Sequence, residues 1–386
     1  METYLDNSAT TKCHEKVMEI VTKVMTEDYG NPSSKHKKGV DAENYLKQTS
    51  EIIAKELKVK EKEIYYTSGG TESNNWALIG TAMANKRRGN HIITTSIEHP
   101  AILQPLAYLE EQGFKITYLP VDEHGLISMD DLKEALTEDT ILVSTIHVNN
   151  EIGAVTSVEE IGTYLKANYP QVIYHIDGIQ SFGKYRIYPK KAGIDLLSAS
   201  GHKIHGPKGV GLLYIDERVK ISPMILGGGQ QKGMRSGTDN VPGVAGLGIA
   251  TSESYKDLEK KVNQMREQRR YLMKGLMEIP DVIINGPKNE EQTAPHIVSA
   301  SFLGIRSEVL LHALEDKEIY VSAGSACSSN KKQKMSSTLQ AIGLSPDAAE
   351  GTIRFSFCSR TSYDELDYCL EVLKEIVPML RRYSRK

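Results

Sequence analysis

Cysteine is scarce in this chain: Cys13, Cys327, Cys358 and Cys369 are the only four among 386 residues. None belongs to a C-x-x-C pair, which excludes a disulfide scaffold and a zinc ribbon, and no metal is expected. Long apolar runs are missing as well. With no stretch of about 18 such residues, no membrane span is expected. Neither sign of charge dominates, since 47 Lys and Arg stand against 50 Asp and Glu. That balance excludes the basic excess of a dedicated nucleic-acid binder. The opening residues Met1-Glu2-Thr3-Tyr4-Leu5-Asp6 carry neither a basic start nor an apolar stretch, so the expectation is no secretory signal and a cytoplasmic location. Neither a P-loop nor G-x-G-x-x-G is present. What is left is an ordinary soluble composition, long enough for about two domains.

Short apolar runs alternate with helical patterns through the middle of the chain. Residues 91–97, 115–119, 141–148, 172–176, 195–199 and 211–215 read as strands, and 141–148 is apolar enough to be buried on both faces. Ser157 with Glu160 reads as a capping box ahead of Ile161, and Ser128 with Asp131 as a weaker start signal. The alternation predicts an α/β fold with a large, mostly parallel sheet and helices on both faces. After about residue 250 the character changes. A charged helical pattern at 254–278 places Leu258, Val262, Met265 and Leu272 on one face. Strands at 298–302, 319–321 and 352–357 follow, with helices at 307–315 and about 363–382. This reads as a second, smaller α/β domain. Periodicity finds no sheet partner for residues 4–11.

Several strand ends carry chemistry. Ser198-Ala199-Ser200-Gly201-His202-Lys203 ends a strand in a Gly-rich loop that presents a lysine, where parallel sheets place ligands. Lys203 reads either as a solvated lysine or as an amine that forms a Schiff base from a confined site. Asp177 ends another apolar strand, as a turn or cap residue or as the buried partner of a cationic ring nitrogen. Ile64-Tyr65-Tyr66-Thr67-Ser68-Gly69-Gly70-Thr71 reads strand, turn, helix start. It is a tight connection or a phosphate site on free helix amides. His99 before Pro100 is a packed histidine or an aromatic plate with acid/base capacity. Arg354 lies within an apolar strand, either at an edge with its head in water or as a clamp for a carboxylate. Cys327 stands among small and polar residues, followed by Lys331, Lys332 and Lys334. It is an incidental loop cysteine or a thiol kept reactive by nearby positive charge. The lysines read as a solvated loop or a dock for an acidic partner. Cys13, Cys358 and Cys369 read as structural.

Together these segments resemble the NifS/IscS-type cysteine desulfurases of the class V aminotransferase superfamily, which are fold-type I PLP-dependent transferases. The resemblance runs from Tyr4-Leu5-Asp6-Asn7-Ser8-Ala9-Thr10-Thr11 through Gly30-Asn31-Pro32, Thr67-Ser68-Gly69-Gly70-Thr71-Glu72-Ser73-Asn74-Asn75, Glu98-His99, Asn149-Asn150-Glu151 and Ser200-Gly201-His202-Lys203. It continues to Arg235-Ser236-Gly237-Thr238, Gly324-Ser325-Ala326-Cys327 and the Arg354 strand. It implies that Lys203 carries pyridoxal 5'-phosphate (PLP) on its amine and later shuttles the Cα proton. Asp177 should pair with the ring nitrogen, Gln180 should meet the ring hydroxyl, and His99 should stack on the ring. Gly70, Thr71, Ser200 and His202 should hold the phosphate. Thr238 should reach the phosphate of a second subunit, which implies a homodimer. Asn150 and Arg354 should bind the carboxylate of L-cysteine, with Asn31 nearby, and Cys327 should be the nucleophile that becomes a persulfide.

The resemblance also implies that the persulfide serves sulfur-acceptor proteins of Fe–S cluster assembly or tRNA thiolation, without direct nucleic-acid contact. The large PLP-binding domain should span 12–255. The small domain, carrying the Cys327 loop, should take 1–11 and 256–386. Ser-Ala-Cys at Cys327 matches the class with an extended loop, and Arg-x-Gly-His-His-Cys of the other class is absent. Gly178-Ile179 replaces the usual Ala-Ala, and Asn330-Lys331-Lys332-Gln333-Lys334 replaces Ser-Leu-Glu-Pro-Ser. A selenocysteine lyase, another class V aminotransferase or a sulfur-delivery scaffold are the alternatives.

Overall fold

The structure is a computed structural model and describes residues 1–324 and 336–384. The strands in chain order are β1 (Thr3–Tyr4), β2 (Ile64–Thr67), β3 (His91–Thr95), β4 (Lys115–Leu119), β5 (Thr140–Ile146), β6 (Ile173–Asp177) and β7 (Leu196–Ser200). They continue with β8 (Gly211–Ile215), β9 (Val282–Asn285), β10 (Ile297–Phe302), β11 (Ile319–Tyr320), β12 (Ser322–Ala323) and β13 (Thr352–Ser356).

A seven-stranded sheet has the order β2-β8-β7-β6-β5-β3-β4. Strands β3 to β7 are mutually parallel, whereas β8 runs antiparallel to both β7 and β2. Two reversals bring β2 back into the common direction. The carboxyl ends of β2, β3, β5, β6 and β7 therefore share one rim. Side chains of a strand alternate between faces, and two cores result. Ile93, Val143, Leu197 and Leu212 pack with Ile53, Leu57, Ile161 and Leu247. Their neighbours Ile92, Leu142, Leu196 and Leu213 pack with Trp76, Ile102 and Leu106. Helices thus cover both faces, as the alternation predicts.

The second sheet is antiparallel, with the order β12-β13-β10-β9. Its core gathers Leu272, Phe302, Leu314, Phe355 and Leu373, joined by Leu5 from the start of the chain. Residues 4–11 do have partners. β1 lies parallel to β11, and Asp6 bridges Ser356 of β13. A two-residue strand carries no periodicity, which is why the sequence pattern misses it.

Two helix expectations differ from the structure. The long pattern at 254–278 is one helix, Leu258–Met277, but it starts later than the pattern, and residues 254–255 end the preceding helix Val241–Tyr255. Asp257, at φ +52°, breaks the run. The first of the two is buried nearly all round and built from small residues, so it shows no one-sided stripe. At the Val158–Asn168 helix, Ser157 makes no side-chain cap bond. Its carbonyl alone accepts from Glu160 and Ile161. Ser128 does cap its helix, accepting from Asp130 and Asp131. Among the described residues no helix is long and apolar enough to cross a membrane.

Arg354 is not at an edge, because β13 lies between β12 and β10. Its neighbour Phe355 is fully buried. We expect Phe355→Ala to destabilise the protein by about 3–5 kcal/mol. Chemical denaturation followed by circular dichroism checks this, and a loss under about 1 kcal/mol would mean that the small core does not depend on this strand.

Candidate active site

The shared rim holds a cavity of ≈ 360 Å³. Gly70, Thr71, His99, Asn150, Asp177, Gln180, Ser200, His202, Lys203 and Arg354 all line it. Several arrive at the end of an element, whereas Arg354 comes from the middle of β13. Asp177 closes β6, Ser200 closes β7, and Lys203 follows on one 3₁₀ turn, Gly201–Lys203. His99 caps the helix Pro100–Glu111, its Nδ1 accepting from the Ala101 amide at 3.0 Å. Proline at the first helical position suits this start, and the cap bond fixes the imidazole plane.

Lys203 is held by the N-terminal segment. Its Nζ donates to the carbonyls of Ser8 and Ala9, the latter at 2.8 Å. Burial, then the positive charges of Arg354 and Lys184, pushes its amine down to about 7. Thr11 pins the same loop, donating to the His202 carbonyl at 2.8 Å and accepting from the His205 amide. Asp177 accepts from Asn74 Nδ2 at 2.8 Å and from the Ile179 amide at 3.0 Å. No ion pair engages it among the described residues, and burial raises its carboxyl above the usual range. Burial likewise lowers His99. With Lys203 nearby as a second cause, it takes His202 to about 4, so His202 is neutral.

Arg354 donates from Nη1 to the Asn150 carbonyl at 2.9 Å. From Nη2 it reaches Asp6 at 2.8 Å and Ser322 Oγ at 2.9 Å. Its side chain is only 11% exposed, and among the described residues its buried Nε has no partner. Gln180 Nε2 donates to the Ser8 carbonyl at 2.9 Å.

The residues fit PLP. Ser200 Oγ is buried without a partner and stands beside the amides that open the helical run 70–85, a place suited to phosphate. A Cβ on Gly70 would sit 2.2 Å from Ile179 Cδ1, and one on Gly211 only 2.7 Å from Gly69 Cα. Gly211 must therefore stay bare for the turn to lie against β8, whereas at Gly70 the obstacle is the end of the Ile179 side chain, the residue that here replaces an alanine. Asp177, buried and lacking a cation, suits a protonated ring nitrogen, and Lys203 offers a free amine near neutrality.

Three expected residues are not brought into this cavity. Asn31 is exposed, its Oδ1 accepting from the Ser33 amide. Thr238 is exposed too, on a segment tied to the glycine turn by Arg235, which grips both oxygens of Glu72. Cys327 lies outside the described residues. Of the other thiols, Cys369 is buried, and burial pushes it up to about 12. Cys13 and Cys358 are half-buried.

Sequence reasoning missed Asp6, the Ser8 and Ala9 carbonyls, Asn74 and Glu98. Asn74 stands four residues after Gly70, one helical turn on, and that spacing could have found it. Glu98, 2% exposed, ties two strand ends together by accepting from Thr95 and the Ile146 amide. Burial lifts its carboxyl to about 8.

The lowered amine has a measurable consequence. In cofactor-free protein, acetylation of Lys203 by a limiting reagent, read by mass spectrometry, should reach half its maximum near pH 7. The neutral amine is the reactive form, so labelling rises with pH. Arg354→Met should move the midpoint upward, because it removes a neighbouring positive charge. A midpoint near 10 in the wild type would contradict the site's electrostatics.

Comparison with known proteins agrees with this geometry. The class-V aminotransferase family matches residues 3–369. The chain is 44% identical over 381 residues to cysteine desulfurase IscS of Methanosarcina thermophila, covering 99% of this chain and 93% of that one. It is 42% identical over 384 residues to cysteine desulfurase IscS of Clostridium botulinum, covering 99% and 96%. Among solved structures, a NifS-like protein superposes with a TM-score of 0.92 at 38% identity, covering 98% of this chain and 100% of that one. A structure described as SspA in complex with cysteine superposes at 0.81 with 33% identity, covering 93% and 100%. With a family match along nearly its whole length and relatives at this identity, the chain belongs to the class-V aminotransferases, as a PLP-dependent cysteine desulfurase of the NifS/IscS type.

Proposed function

We propose that this cavity converts L-cysteine to L-alanine and that Cys327 collects the sulfur as a persulfide. One observation carries the reading. An amine near neutrality, a buried carboxylate without an ion pair and a guanidinium with an unpartnered Nε line the same cavity.

Lys203 would hold PLP covalently, Asp177 would face the ring nitrogen, Gln180 the ring hydroxyl and His99 the ring plane. Gly70, Thr71, Ser200 and His202 would hold the phosphate. PLP, when bound, supplies an electron sink for the pair left by loss of the substrate's Cα proton. Lys203 moves that proton, a task for which an amine near 7 is matched to neutral pH. Arg354 and the Asn150 side chain orient the substrate carboxylate. The Cys327 thiolate attacks the substrate sulfur. One C–S bond breaks, one S–S bond forms, the substrate's S–H hydrogen stays on the outer sulfur, and a proton, replacing the one the Cys327 thiol gave up on ionising, is added to the carbon that becomes the alanine methyl.

An acceptor protein then removes the terminal sulfur. Acceptors of Fe–S cluster assembly and of tRNA thiolation both suit a protein-bound persulfide, and the reading places the enzyme in the cytoplasm. Thr238, exposed outside the cavity of its own chain, would reach the cofactor phosphate of a second copy, so the proposal includes a homodimer, and Asn31 would stand near the substrate carboxylate. The proposal divides the chain into 12–255 and 1–11 with 256–386, although Leu258 still packs into the large core.

With L-cysteine and a thiol reductant, Cys327→Ala should lose alanine and sulfide formation by roughly 10²-fold or more. Undiminished turnover would remove Cys327 from the reaction and favour a lyase acting on selenocysteine or another aminotransferase. Lys203→Ala should purify without the visible absorbance of the wild type. A coloured Lys203→Ala protein would move the cofactor to another amine.

A further inference from the structure

A second cavity of ≈ 180 Å³ shares Lys203 with the first but none of its other lining. Ala250, Leu258 and Met265 form an apolar part of its wall, while Lys184, Lys261 and Arg360 supply positive charge. The one carboxylate in the lining, Glu253, already pairs with Lys16 at 2.6 Å. Among the described residues no carboxylate lies within ion-pair distance of Lys184 or Arg360.

Both cations have donors to spare. Lys184 Nζ carries three N–H bonds and gives one to the Lys203 carbonyl at 3.2 Å. Among the described residues Arg360 uses Nη2 alone, reaching His205 Nδ1 at 2.5 Å and the Lys12 carbonyl at 3.4 Å. Burial and Arg360 take His205 to about 4, so this imidazole adds no charge at neutral pH. Lys184 is half-buried, and burial moves its ammonium down to about 8, the signature of a cation that lacks a counter-charge.

We propose that this cavity binds a small organic carboxylate, with its anionic end on Lys184 and Arg360 and its aliphatic body on Leu258 and Met265. A bare oxyanion would leave the apolar wall uncovered. An uncharged ligand would leave the two cations unanswered. The volume is below the roughly 300 Å³ at which drug-sized pockets begin, so the ligand is short. The site stands one hydrogen bond from the Lys203 backbone, and the inference does not depend on the reaction proposed above.

The test is a saturation-transfer NMR titration of the PLP-loaded protein with butyrate, n-butanol and inorganic phosphate. Butyrate should bind, and the other two should bind at least about tenfold more weakly, as loss of charge-assisted hydrogen bonds or of apolar contact requires. Arg360→Ala and Lys184→Met should each weaken butyrate by about tenfold or more. Arg354→Ala should leave it within about twofold, which separates this site from the first cavity. Arg360 is exposed, so its variant is not expected to disturb folding. Absence of butyrate binding, binding lost only in Arg354→Ala, or binding unchanged in Arg360→Ala would overturn the proposal. Phosphate binding as tight as butyrate would overturn the organic carboxylate as the ligand.

Discussion

Asp177 and Lys203 are both taken out of water at one rim of the sheet without being paired to each other. Burying a charge costs several kcal/mol unless hydrogen bonds or an opposite charge compensate it. The fold compensates each only in part. Asp177 receives two hydrogen bonds, from a helix side chain and from its own turn. Lys203 finds two carbonyls. What remains uncompensated is the chemistry of the site: a carboxylate in want of a cation and an amine close to losing its proton. A salt bridge between them would stabilise both charges and disable both roles.

The N-terminal segment follows from this constraint. It is too short to form a sheet of its own, yet it crosses between the two cores. Leu5 enters the small core, and Asn7 and Ser8 bond to Ser356 of β13. Ser8 and Ala9 then turn their carbonyls to Lys203, and Thr11 clamps the His202–His205 loop. The same segment supplies Asp6 to Arg354. One strap therefore sets the lysine from the large sheet against the arginine from the small one. The apolar β13 strand could not otherwise present a guanidinium inward without leaving it unpaired.

Much of this was readable in the chain. β-branched and apolar runs mark the inner parallel strands because those are buried on both faces, and the polar residues ending β6 and β7 mark the rim. Asp177, Ser200 and Lys203 were visible for that reason, and Gly69-Gly70 because a tight turn must precede a helix. The unread parts have equally physical causes. β8 reverses direction with no change in composition, since a central strand is apolar whichever way it runs. The helix Val241–Tyr255 is wrapped by neighbours and lacks a polar face. The Ser8 and Ala9 carbonyls leave no trace in residue type, because the backbone of any residue could do their work. Asn31 and Thr238 could be placed by resemblance but not by the cavity of one chain.

Arg354 shows how the two kinds of evidence complement each other. An arginine in an apolar strand is ambiguous by sequence, because an edge strand would let it reach water. The structure removes the ambiguity: Arg354 stands on an inner strand, and its side chain, only 11% exposed, lines the cavity. Asp6 then answers the charge, but through one terminal nitrogen, leaving Nε buried and unpartnered. A buried donor left in that state costs about 1–3 kcal/mol, and a second carboxylate is the group that would satisfy it. Asp6 accordingly keeps Arg354 folded inward and charged, while the unpartnered Nε keeps it receptive. That division lets a single guanidinium join the packing of the small sheet while, in the proposed reaction, it offers a donor to the substrate carboxylate.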